Sequence, residues 1–201
     1  MQPELPIAET APPPLDISSW PRVTRILEAT GVADYSKIPN AEFYLSRGKD
    51  VHMICEDIDK GMPDYWTGGE LAGYADAWKR FKEETGFVCE LIEYPAYHEV
   101  RRYKGTLDRT GRFANSKARI LLDIKSGIVA DWVRLQTAAY AACLEHPEAI
   151  VRHGLQLSKD GKFKLSEPFT DYRQDSNIFF SLVSTVHART IYGKTEIMEG
   201  E

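Results

Sequence analysis

The chain has 201 residues, 43% hydrophobic and 27% charged, the make-up of an ordinary soluble globular protein with a core of useful size. Its formal net charge of −5 excludes a molecule that binds nucleic acid through overall charge, so any such binding needs a local basic patch. Cys55, Cys89 and Cys143 are odd in number and far apart, which excludes a disulfide framework and a C-x-x-C metal knuckle and predicts a reducing, cytoplasmic setting.

No apolar run is long enough to span a membrane, and residues 1–19 lack a charged-then-apolar leader. That stretch carries Pro3, Pro6, Pro12, Pro13 and Pro14 and reads as a flexible, Pro-rich tail. Order is expected from Trp20, in a short helix with Val23, Ile26 and Leu27 on one side and Gly31 past its end. A second helix is predicted over 42–61, and a third over 70–85, where Leu71, Tyr74, Trp78 and Phe81 recur at helical spacing before Gly86. That aromatic stripe is read as core packing.

Residues 87–94 and 97–103 are predicted as two strands around Pro95, and 104–112 with 118–125 as a hairpin turning at 115–117. A helix follows over 129–145, stopped by Pro147, then a hairpin over 149–157 and 162–165 turning at 159–161. An amphipathic helix over 175–192 closes the domain, and the acidic end 193–201 is expected to fray. With no internal repeat, 20–192 reads as one α/β domain, a short mixed sheet of about four strands flanked by helices.

Chemistry concentrates in the first hairpin. Side chains alternate across a strand, so Asp123 and Lys125 share one face while Ile124 points to the other, into the core. If the hairpin pairs as predicted, Asp108 joins them at one end of the sheet. Two carboxylates and the Ile124 carbonyl suit Mg2+ or Mn2+, and the lysine beside them can orient a water or neutralise charge on a phosphate. Between residues 101 and 119 seven basic residues, Arg109 among them, accompany the single acid Asp108. They form either a phosphate-facing surface or a solvated hairpin edge whose charges block aggregation. Gln136 and Tyr140, four apart, share one helix face, as do His52 and Glu56. Taken alone, His52 is a packed or hydrogen-bonded histidine, Glu56 the partner of Lys60, Tyr140 a packing residue and Glu93 a surface strand residue.

The ordered series, G-x-x-D ending at Asp108, an apolar strand ending in Asp123-Ile124-Lys125, then Gln136-x-x-x-Tyr140, resembles the PD-(D/E)XK nuclease superfamily in its RecB-like, phage-exonuclease branch. Upstream, residues 47–56 (RGKDVHMICE) resemble that branch's first motif, in which the histidine contributes to the metal site. The sequence departs from the pattern at Leu107, which stands where proline is usual, and at Asp123, where glutamate is commoner. The resemblance implies a restriction-endonuclease-like core, with Asp108, Asp123 and Lys125 catalytic and with His52, Asp108, Asp123 and the Ile124 carbonyl on the metal. It further implies Gln136, Tyr140, Glu56 and Arg109 on the substrate side, and Glu93 as a candidate extra carboxylate. Three cysteines do not suffice for the iron–sulfur subgroup, which needs four.

The expected function is a Mg2+- or Mn2+-dependent deoxyribonuclease, an exonuclease in phage or mobile-element recombination or repair, acting with DNA and a recombination or repair partner. The alternatives are an inactive DNA-binding or structural module that keeps the nuclease fold, and a metal-dependent phosphodiesterase on small molecules. No P-loop, G-x-S-x-G, H-E-x-x-H or zinc-deaminase signature offers a rival chemistry.

Overall fold

The computed structural model describes residues 16–34, 40–63 and 68–193. The expected tail over 1–19 therefore falls outside them except for 16–19, and the acidic end except for Gly193. Residues 17 and 18 lie against the sheet, where the Lys104 ammonium donates to the Ile17 and Ser18 carbonyls at 2.8 and 2.7 Å.

Five strands form one mixed sheet in chain order: β1 (Val88–His98), β2 (Tyr103–Arg112), β3 (Ile120–Lys125), β4 (Val151–Leu157) and β5 (Phe163–Leu165). All neighbours are antiparallel except β3 and β4, which run parallel. A parallel pair needs a crossover, and here it passes through a helix over Val133–Ala141. The other helices are α1 (Val23–Ala29), α2 (Ala41–Asp59), α3 (Ala72–Thr85) and, after the crossover helix α4, α5 (Tyr172–Tyr192).

Alternation along β3 divides the core in two. Leu121 packs with Leu27 of α1, Ala139 of α4 and Phe179 of α5, while Ile120, Leu122 and Ile124 pack with Val51 of α2 and Trp78 and Phe81 of α3. The result is three layers, with the sheet between α1, α4 and α5 on one side and α2 and α3 on the other. Tyr74, Trp78 and Phe81 are buried on α3, as their spacing predicts. Its C-terminal Gly86 takes φ +61, and a Cβ there would lie 2.5 Å from that of Ala114, so glycine is required twice over.

One element differs in kind from expectation. Residues 87–103 do not make two strands around Pro95. β1 runs unbroken to His98, with Pro95 paired opposite Thr106, and turns at 99–102 into β2. Proline fits because β1 is the sheet's edge strand, where a missing N–H breaks no ladder bond on the open side. Three strands thus cover residues 88–125, and the hairpin of β4 and β5 brings the sheet to five. α4 is shorter than its alanine-rich sequence suggests, and α5 begins earlier, where Asp171 caps it by accepting from Gln174 N–H at 2.9 Å.

Candidate active site and cation site

The ladder between β2 and β3 pairs Gly111, Thr110 and Arg109 with Ile120, Leu121 and Leu122. Past that point Ile124 N–H donates to a side chain, the Asp108 carboxylate, whose Oδ2 accepts at 2.6 Å. A buried acid thus completes the backbone bonding of the strand that carries the second acid.

Asp123 and Lys125 project from β3 toward α4. The Lys125 ammonium lies 2.7 Å from Asp123 Oδ2 and donates to Gln136 Oε1 of α4 at 3.2 Å. The Asp123 side chain is 1% exposed, and among the described residues neither of its oxygens accepts a hydrogen bond of good geometry. With the Lys125 ammonium against Oδ2, it is Oδ1 that lacks a partner among the described residues.

From the opposite layer α2 supplies His52. Its Nε2 lies 3.1 Å from the Ile124 carbonyl, and its Nδ1 lies 3.2 Å from Glu93 Oε1 and 3.6 Å from Asp108 Oδ1. Both ring nitrogens face acceptors, which favours the doubly protonated ring. Burial acts against that charge, but the Asp108 and Glu93 carboxylates outweigh it and raise the pKa to about 9. Burial also raises the Asp108 carboxyl to about 7, opposed by His52 and reinforced by the charges of Asp123 and Glu93. One atom each from His52, Glu93 and Asp108 lie within 4.8 Å of one another, close enough to share a cation. The Ile124 carbonyl adds an oxygen beside His52, while Asp123 stands outside this group of three, paired through Oδ2 with Lys125.

Glu93 is a principal member of this cluster, although the sequence favours reading it as a surface residue. Leu91 and Tyr94 pack on the α1 side of the sheet and Ile92 on the α2 side, so strict alternation would point Glu93 away from α2. Its backbone instead takes φ +44, and its carboxylate reaches His52 and Arg109. A left-handed non-glycine residue within a strand is costly and breaks the two-residue period. No sequence pattern announces it.

Arg109 is fully buried and is taken up by the protein's own acceptors. Its Nε donates to Asp59 Oδ2 at 2.7 Å, and its Nη1 donates to Glu93 Oε1 at 2.8 Å and to the Asp108 carbonyl at 2.6 Å. Burial opposes the guanidinium charge, yet Asp59 and Glu93 raise its pKa. Asp59, which the sequence reading passed over, also takes Lys82 at 2.6 Å and the Trp78 indole N–H at 3.1 Å. Arg109 is thus a strut behind Glu93.

The other expected substrate residues divide. Gln136 holds Lys125. Tyr140 is buried over Gly105, where a Cβ would lie 2.7 Å from the tyrosine Cε1. Burial, with the charges of Asp108 and Asp123, raises the Tyr140 phenol's pKa and keeps it protonated. Glu56 pairs with Lys60 at 2.6 Å. Within the basic run, Arg112 and Arg119 both pair with Glu90, and the Arg101 guanidinium covers the Phe180 ring at 4.7 Å.

Among the described residues no helix is long and apolar enough to cross a membrane. No protein-family model matches this chain, and no curated protein matches it.

Proposed function

We propose that the chain is a divalent-metal-dependent deoxyribonuclease of the PD-(D/E)XK kind, with Mg2+ or Mn2+ as its cofactor. The observation that carries the reading is the His52–Glu93–Asp108 cluster, beside Asp123, an acid 1% exposed with the Lys125 ammonium 2.7 Å from it. The donors are carboxylates and a carbonyl with one imidazole, a set that suits Mg2+ or, with the nitrogen, Mn2+.

Asp108, Asp123, Glu93, His52 and the Ile124 carbonyl would hold the ion, with His52 giving up a proton to do so. The ion supplies Lewis acidity, stabilising charge on the attacked phosphate and lowering the pKa of water. The chain does the rest. Lys125 orients the water or the phosphate oxygen and offsets the charge that develops in a single in-line displacement. Gln136 fixes the lysine's position, and Arg109 fixes Glu93.

The test is digestion of end-labelled duplex, nicked circular and single-stranded DNA with Mg2+, Mn2+ or EDTA. Cleavage that needs the metal, and that Asp123→Asn abolishes without lowering the melting temperature, is the expected result. Cleavage by Asp123→Asn at the wild-type rate would overturn the assignment.

A further inference from the structure

The site opens into a groove of about 740 Å³ between α2 and the loop that leads from β3 to α4. His52, Ile124 and Lys125 line it, so its occupant reaches the cation cluster. The walls are formed largely by apolar and aromatic side chains: Tyr44 and Leu45 from α2, Ile128 and Trp132 from the opposite loop. Three of these are open to solvent, Tyr44 at 44%, Leu45 at 53% and Ile128 at 85%.

Besides His52 and the acid Asp34, Arg47 and Lys125 sit within this frame. The Arg47 guanidinium lies 4.8 Å from the Tyr44 ring centre and donates to the Ser126 carbonyl at 3.1 Å. The Lys125 ammonium lies 5.4 Å from the Trp132 ring centre. Of the other basic residues, Arg109 lies inside the core, Arg112 and Arg119 pair with Glu90, and Lys104 donates to the carbonyls of Ile17 and Ser18.

These features discriminate between forms of DNA. A duplex hides its base faces and is gripped through phosphates by a broad positive surface. An unpaired strand exposes the faces of its bases, and aromatic side chains beside a narrow line of cations bind it. A groove lined by Arg47 and Lys125 with Tyr44 and Trp132 beside them matches the second case.

We infer that the groove holds an unpaired DNA strand, with bases against Tyr44 and Trp132 and phosphates directed to Arg47 and Lys125. The choice of DNA rests on the nuclease reading; the choice of an unpaired strand rests on the groove. Single strands and frayed ends are the substrate, and an intact duplex must open before it is cut.

The full-length chain in EDTA is titrated, by fluorescence anisotropy, into a labelled oligothymidylate and a labelled duplex of equal length. The single strand binds at least about tenfold tighter, and Tyr44→Ala and Trp132→Ala each weaken it about tenfold, the worth of one stacked base. Ile128→Glu, at an exposed position, weakens it as well, while Lys159→Met at the β4–β5 turn does not. Should a tryptophan variant fail to fold, Tyr44→Ala and Ile128→Glu decide. Equal or tighter duplex binding, or single-strand binding unmoved by Tyr44→Ala and Ile128→Glu, overturns the inference. Unmoved DNA binding with lost binding of a small apolar dye gives the groove to an apolar ligand, also against it. Cleavage with Mn2+ is scored separately: metal-dependent cutting that prefers intact duplex overturns the groove and leaves the nuclease. Groove-dependent single-strand binding without cutting of any substrate upholds the groove and overturns the nuclease.

Discussion

Lys125 is held by contacts that leave its charge at the site: Asp123 at 2.7 Å, Gln136 at 3.2 Å and the Trp132 ring. Lys125→Met keeps the aliphatic stem and every proposed ligand. Loss of one pre-organised charge at a phosphate is expected to slow DNA cleavage by about two to three orders of magnitude, ~3–4 kcal/mol, with Mn2+ affinity retained. Single-turnover digestion at saturating metal checks this, with Lys159→Met as the control, and a near wild-type rate for Lys125→Met would leave Asp123-Ile124-Lys125 as merely a strand end. Arg109 predicts a loss of another kind. Its guanidinium is 0% exposed against Asp59 and Glu93, so Arg109→Met takes a cation from the buried Asp59 and leaves Glu93 with His52 alone. Breaking a buried pair on one side costs about 3–5 kcal/mol, which a urea titration will register as a lower midpoint at unchanged slope. An Arg109→Met variant as stable as wild type would show that the strut is dispensable.

Among the elements, the join between β2 and α4 decides whether Gln136 can reach Lys125. Gly105 gives Tyr140 its seat, and the ring is 4% exposed, hemmed in by core. Gly105→Ala forces a methyl against that ring and is expected to destabilise by about 1–3 kcal/mol. Tyr140→Leu removes the obstructing atoms, so the double variant should lose less than the sum of the singles, and strict additivity would mean that the two residues do not share a constraint. What the sequence disclosed about this region follows from periodicity. The two-residue period of β3 separates Asp123 and Lys125 from Ile124, and the turn residues between 112 and 118 imply the hairpin that brings Asp108 alongside. What it concealed follows from broken periodicity and distant pairing. Glu93 joins the site only through a left-handed backbone, and Pro95 looks like a strand end until β1 is seen to be an edge. Arg109 looks like a surface cation until Asp59, fifty residues earlier, is found against it.

For the whole molecule, acids and a histidine crowded at one strand end couple stability to protons and to metal. The folded-state pKa of His52 is raised from 6.5 to about 9, and that of Asp108 from 3.8 to about 7. Both raised values mean that the folded chain binds more protons than the unfolded one. The stabilisation from His52 is complete below pH 6.5 and lost as pH rises through 9; that from Asp108 is complete below 3.8 and lost through 7. Glu93 is shifted down, so its contribution changes in acid, outside the window between pH 6 and 9. Burial lowers the pKa of His98 and His153, which gain stability as pH rises through the lower part of that window and partly mask the effect. The quantity to measure is therefore the difference between wild type and a His52→Ala, Asp108→Asn double variant. In EDTA the wild-type melting temperature should fall more steeply from pH 6 to pH 9 than that of the double variant. For a chain of this size each kcal/mol is worth about 2–4 °C. Saturating Mn2+ takes the place of the lost protons, so its stabilising effect should grow with pH in the wild type and vanish in the double variant. Parallel pH slopes in EDTA would show that His52 and Asp108 do not hold the proton between them. A metal-induced shift that survives in the double variant would place the cation elsewhere in the molecule.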